Sequence, residues 1–258
     1  MAHKIKPAER KHQNYLRRVG LKTSLKFEDR LRILRAQEVR RVLALCRDFD
    51  KDPEVWAAVV DGNLTEAGYL PKWQTDLYIN VGLPMAKSTA RDLNKAKAAG
   101  DEDFWLSELA SYAKERAGSN IVIVSGTLRE TLIQVVRETM EADLTLGVEK
   151  LTKQIYAKYQ SLAKWQVRRI AQTESMIGMA DAANIAAKTL DVGFTKQWCI
   201  SGLGNTRDTH QAMDGYEVDE SEPFELPGGS LMYPHDCGLG ADAAEIINCA
   251  CCCIRRPK

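Results

Sequence analysis

Four of the seven cysteines in this 258-residue chain fall between positions 249 and 253, and histidines stand upstream at 210 and 235. Cys249 and Cys251 are one residue apart, and on a strand that spacing puts two thiols on the same side. With Cys237 and either His210 or His235 they make a nitrogen and sulfur donor set of the kind tetrahedral zinc prefers. A structural zinc would give order to an acidic segment that has few large apolar residues to pack. The spacing is not one of the common zinc-finger patterns, so a plainer reading stands beside it. There the cysteines are small buried residues of a terminal strand and His210 hydrogen-bonds within its own loop. No cofactor is certain from the residues.

His210 also invites an acid–base reading. Glu174, Asp208 and Asp214 could converge on it, with the imidazole as general base and the carboxylates orienting it or holding a metal, as a hydrolase or transferase would require. The chain has no nucleophile elbow, phosphate loop or His-Glu-x-x-His motif to support such an enzyme. Asp208-Thr209 and Asp214-Gly215 read equally well as turn chemistry, where short polar side chains cap local backbone.

The elements that must carry these residues are mostly helical. Phe27, Leu31, Leu34, Val39, Val42, Leu43 and Cys46 recur near the helical period, which predicts an amphipathic helix over 25–46 with a basic outer face. Pro53, Gly62, Gly68, Pro71 and Pro84 predict shorter helices or turns over 51–84, and Gly100 predicts a break between exposed helices. The β-branched run over 119–126 reads as a strand, with Thr127 as N-cap and Glu130 at the capping-box spacing of the helix that follows. Further helices are expected over 147–168 and 170–190, then a sheet built from about 194–201, 215–218 and 247–254, with Trp198 in the sheet–helix core. Gly202 to Asn205 favours a turn, and Pro227-Gly228-Gly229 an exposed loop. The fold class is therefore α+β and helix-rich: an N-terminal helical region over 1–118, then a C-terminal domain over 119–258 of about three helices packed on a small β-sheet.

Charge separates the two ends of the chain. Residues 1–50 hold 14 Lys and Arg against 6 Asp and Glu, whereas 205–248 hold one Arg against 10 acidic residues. Arg32, Arg35, Arg40, Arg41 and Arg47 are the candidates for contact with phosphate or an acidic protein surface, without sequence readout. An ordinary solvated helix face explains them as well. No apolar run approaches the roughly 20 residues of a membrane span, so no membrane partner is expected. The basic N-terminus has no apolar core after it, which predicts residence in a cytosol. There, clustered thiols are more often ligands or packed residues than disulfides.

Several motifs occur in one order. Thr173-Glu174, Ala182-Ala183-Asn184, Gly193, Lys196-Gln197-Trp198, Asp208-Thr209-His210, Asp214-Gly215, Pro223-Phe224, Asn248-Cys249 and Cys251 follow one another toward the C-terminus. This order resembles the phage Mu F-like head morphogenesis family, also called minor capsid proteins, over about residues 119–258. The chain departs from that pattern at Gln172 and Ala250, where the family commonly has Arg. The resemblance implies a non-enzymatic bacteriophage minor capsid protein in the virion, at the portal vertex inside the capsid, and in the host cytoplasm during assembly. It would assist head assembly, DNA packaging or DNA ejection. Its implied partners are the portal protein and, beyond it, packaged double-stranded DNA, scaffold or major capsid protein. Two alternatives are a zinc-stabilised DNA-binding module inside the head, and a hydrolase or transferase using His210. A disulfide formed after release would pair Cys252 or Cys253 with Cys199 or Cys237.

Overall fold

Among the described residues, five α-helices precede the first strand. A computed structural model describes residues 4–64, 69–93, 102–143, 145–190, 192–202 and 206–258, with the backbone alone over 115–128. The helices are α1 (Pro7–Leu45), α2 (Pro53–Asn63), α3 (Leu70–Leu93), α4 (Glu102–Ala142) and α5 (Val148–Thr189), with one 3-10 turn at Cys46–Asp48. Then follow β1 (Phe194–Cys199), α6 (Asp208–Ala212), β2 (Glu217–Asp219), β3 (Phe224–Leu226), β4 (Gly229–Leu231), α7 (Ala243–Ile246) and β5 (Cys252–Pro257). The helix-rich α+β class is as expected, and so is a small antiparallel sheet near the C-terminus.

Local chemistry sets several boundaries. Asp52 caps α2 by accepting from the amides of Glu54 and Val55, and Pro53 occupies the first turn, where its missing N–H costs nothing. Pro84 lies inside α3 and is exposed, so the carbonyl it leaves without a helical partner faces water.

Three local expectations are corrected. The β-branched run at 119–126 is helical, within α4. Such residues lose only tenths of a kcal/mol each in a helix, about the size that long helix-forming flanks outweigh. Thr127 accordingly lies within a helix and not at its start. The two helices expected over 147–168 and 170–190 are one, because nothing between them breaks the period. The helix expected from residue 25 begins at Pro7. The expected break at Gly100 and most of the Gly202–Asn205 turn lie outside the described residues.

Contacts divide the chain into two units. One comprises residues 26–73 and 114–171. Its core joins Val39, Val42, Leu43, Trp56, Val60, Leu132, Val136, Leu151, Ile155 and Tyr159. Arg35 shares the buried face of α1 with Leu31, Val39 and Val42 because it lies one turn from both Leu31 and Val39, and it is 2% exposed. It therefore presents no charge to a nucleic acid or protein partner. Arg32, Arg40, Arg41 and Arg47 are exposed. Arg32 pairs with Asp29, Arg41 pairs with Glu38, and Arg40 lies 4.7 Å over the Tyr156 ring.

The other unit comprises residues 1–25, 74–113 and 172–258, and holds the sheet. β1 is central, antiparallel to β2 with Thr195 opposite Asp219, and to β5 with Phe194 opposite Pro257 and Cys199 opposite Cys252. β3 and β4 form a separate hairpin. Trp198, Phe224, Leu231, Ile246, Cys249 and Cys251 pack with Tyr78 and Ile177 of α3 and α5. The two helices approach closely through glycine. A Cβ on Gly178 would lie 3.0 Å from the Tyr78 ring, and one on Gly82 would lie 2.9 Å from the Ala182 Cβ. Arg256 on β5 donates to Glu9 at the start of α1 at 2.8 and 3.0 Å and to Gln197 at 2.7 Å.

Gly178→Val is expected to lower stability by about 1–3 kcal/mol through overpacking, whereas Gly62→Ala, in open space on α2, should raise it by about 0.4–1 kcal/mol. Denaturant unfolding of both variants measures this. The Arg256 guanidinium holds Glu9 below its ordinary pKa of 4.5. Its contribution, at most about 1 kcal/mol, is therefore present above that value and lost as pH falls through the lower folded value. The stability gap between the natural chain and Glu9→Gln should close on acidification below pH 4.5.

Candidate metal centre

Three short segments bring the thiols and imidazoles together. α6 turns His210 inward, and Gly215, at φ 80°, completes the reversal into β2. α7 carries Glu245. A Cβ on Gly228 would lie 2.7 Å from both Cγ and Oε1 of Glu245, so only glycine there leaves room for the carboxylate. Between α7 and β5, Asn248 takes φ 57°, and its amide donates to Thr173 Oγ1 of α5 at 3.3 Å. Arg207 donates to the carbonyl of Ile247. The chain therefore enters the Cys249–Cys251 turn held from two sides.

His210 is 1% exposed. Its Nε2 meets Glu245 Oε2 at 2.7 Å, and its Nδ1 lies 3.5 Å from both the Cys249 and the Cys251 sulfur. A carboxylate accepts, so Nε2 carries the hydrogen and the Nδ1 lone pair faces the two sulfurs. The Trp198 ring meets the imidazole edge-on at 5.3 Å between centroids. The ligand atoms of His210, Cys249 and Cys251 all lie within 4.8 Å of one another, and all three residues are buried. Such a cluster can hold a metal ion.

The electrostatics of the cluster are those of shared protons. The Cys251 thiol donates toward Cys249 and, with the two histidines, holds the Cys249 thiol well below its ordinary pKa. The same contact and burial push Cys251 up. Burial works to lower the pKa of His210, but Cys249 and Glu245 outweigh it and the net shift is upward. Two thiols 3.5 Å from one imidazole nitrogen are where a soft divalent cation would displace the protons they hold.

Of the other candidates, His235 is 1% exposed and its Nε2 donates to the Cys251 carbonyl at 3.1 Å. Cys237 is half-buried and donates to the His235 carbonyl at 3.5 Å; Cys237 and His235 both lie outside the three-residue cluster. The carboxylates expected around His210 lie elsewhere. Glu174 accepts from Gln74 and Tyr78, Asp214 pairs with Arg10 at 2.7 Å and accepts from the Ile200 amide, and Asp208 is exposed at the start of α6. Thr209 is half-buried on α6, and Thr173 serves the Asn248 amide. The carboxylate that does reach His210 is Glu245, which no motif marks. Cys249 and Cys251 both face His210 Nδ1 without strand alternation. They precede β5, and the Cys251 amide donates to the Cys249 sulfur at 3.4 Å. A cleft of about 270 Å³ beside them is lined by Thr173, Met176, Arg207, His210, Asn248 and Cys251 among others.

No protein-family model and no solved structure matches the chain. One curated relative does. The chain is 26% identical over 243 residues to the NAD(+)–arginine ADP-ribosyltransferase EFV of Enterococcus faecalis strain ATCC 700802 / V583. The match covers 90% of this chain and 45% of the relative, so the chain spans about half the length of the curated protein it matches. These findings overturn the resemblance to the Mu F-like family, together with the head-morphogenesis function and the minor capsid assignment drawn from it. The expectation of a non-enzymatic protein falls with them, because the relative is a transferase. A shared order of turn residues, one histidine and cysteines marks how a segment folds and does not by itself fix what the protein does.

Glu245→Gln removes the charge that orients and polarises His210. It is expected to weaken divalent-metal binding by about 10-fold to 100-fold, as loss of such outer partners does elsewhere. Competition titration of zinc against a chromophoric chelator measures it.

Proposed function

We propose that the chain acts in ADP-ribosyl transfer, with NAD(+) as donor and arginine as acceptor as the relative's name states, and that a zinc ion at His210, Cys249 and Cys251 holds its C-terminal segment in shape. The transfer reading rests on the similarity along 90% of the chain. The zinc reading rests on the two engaged nitrogens of His210, one tied to Glu245 and the other turned to two sulfurs. Sulfur and imidazole donors select zinc over the hard cations that prefer oxygen.

The same geometry argues against His210 as a general base. A base must reach the proton it removes, and a ring that is 1% exposed with both nitrogens occupied reaches no substrate. The role of the ion is then to order the acidic segment, whose terminal turn has sulfur and backbone groups to offer and few large apolar side chains.

Two measurements test this. The purified full chain should carry about one zinc per chain, and chelation should lower its thermal midpoint by at least about 5 °C. Incubation with NAD(+) and an arginine-containing acceptor should release nicotinamide and give an acceptor heavier by one ADP-ribosyl group, read by mass spectrometry. Folded, zinc-loaded chain that releases no nicotinamide removes the transfer reading and leaves the zinc reading standing.

A further inference from the structure

Three protein ligands leave a tetrahedral ion one open position, the arrangement of a catalytic zinc, whereas four close it. Which applies here depends on whether a fourth donor lies beside His210, Cys249 and Cys251, and His235 has the features of one. It is 1% exposed. Its Nε2 faces the Cys251 carbonyl at 3.1 Å, and a carbonyl only accepts, so Nε2 carries the hydrogen and Nδ1 carries the lone pair. That Nδ1 is buried and makes no hydrogen bond among the described residues. A buried polar atom without a partner loses its hydration with nothing in return, so an uncompensated one in a well-packed core asks for a ligand.

The surroundings say which ligand. The His235 ring stands against the backbone of Cys251, one of the three cluster residues. The two histidines are thus built alike. Each has Nε2–H tied to an oxygen, Glu245 for one and the Cys251 carbonyl for the other. That is the outer-shell arrangement that fixes the tautomer and points of attachment of metal-bound imidazoles. The backbone carries a further sign: His235 holds φ 73°, a conformation that L residues with large side chains rarely adopt, and Asn248, next to Cys249, holds φ 57°.

We infer that His235 is the fourth ligand, through Nδ1, and that the centre is a closed two-histidine, two-cysteine zinc site with no position for substrate or water. Cys237, whose thiol donates to the His235 carbonyl, is the competing donor. The inference rests on the zinc reading above. A closed site places any transferase chemistry of this chain away from the ion, and the ion's work is to join the turn at Pro234–Cys237 to the turn at Asn248–Cys251.

The test uses the full chain loaded with zinc, and with cobalt as a spectroscopic substitute. The natural chain should bind one ion and give the intense visible bands of tetrahedral cobalt with sulfur-to-metal charge transfer. His235→Gly tolerates the positive φ and so separates loss of the ligand from loss of the turn. It should bind zinc at least about 10-fold more weakly and lose band intensity as water enters, and free imidazole should restore the spectrum. Cys237→Ala should change neither affinity nor spectrum. If the natural chain binds no zinc, the zinc reading itself fails. If it binds zinc and His235→Gly keeps the same affinity and spectrum, the zinc reading stands and the fourth-ligand inference is overturned. Loss of the tetrahedral spectrum in Cys237→Ala alone overturns it in favour of that thiol.

Discussion

A histidine with almost no contact with solvent must have both ring nitrogens answered, and the arrangement of the sheet-bearing unit around His210 follows from that requirement. Glu245 answers one side at 2.7 Å and the sulfurs of Cys249 and Cys251 answer the other at 3.5 Å. Each of those groups has its own support. Gly228 leaves space for the carboxylate, Arg207 holds the Ile247 carbonyl, and Thr173 receives the Asn248 amide. Trp198 closes the ring face from the central strand and packs in turn on Phe224 of the hairpin at 5.2 Å. Removing one of these groups leaves a buried polar atom without its partner, which is why the set is interdependent.

That interdependence separates structure from catalysis in this region. Catalytic imidazoles are reachable and keep one nitrogen free for substrate, whereas His210 is 1% exposed and has both nitrogens against protein groups. The charged groups nearby obey the same logic. Lys196 is buried, and its ammonium donates to the carbonyls of Glu222 and Met232, so it serves to join two loops to β1. The similarity to an ADP-ribosyltransferase runs along 90% of the chain and is not confined to the donor cluster.

Much of this was legible in the residues, for reasons that differ by element. Donor types are conspicuous because sulfur and imidazole are few in any chain, so His210, His235, Cys249 and Cys251 stand out without structural help. The three strands of the sheet are legible from β-rich runs ending in turns, although β5 begins at Cys252, later than alternation suggested. Glu245 is not legible, since nothing in Ala243–Ile246 sets it apart from the other acidic residues of that segment until folding places it. The long helices were obscured for the opposite reason. Local β-branched residues at 119–126 carry a strand signal, but the stability of α4 is summed over its whole length and the signal is outvoted. Arg35 likewise reads as part of a basic stripe, and only the helical period of Leu31, Val39 and Val42 shows that it turns inward. The motif order near the C-terminus was the least informative about activity, because it describes turns, and turns are reused across unrelated functions.

The pairing of Arg256 with Glu9 spans 247 residues of sequence. A ribosome releases Glu9 long before Arg256 exists, so α1 must wait for the strand that fixes its first turn. The unit made of residues 26–73 and 114–171 has by then been fully synthesised, and its core draws on no residue beyond Ile170. Order of assembly is therefore written into connectivity: one unit can mature while the chain is still emerging, and the other waits for the later strand and for the cysteine turn that precedes it.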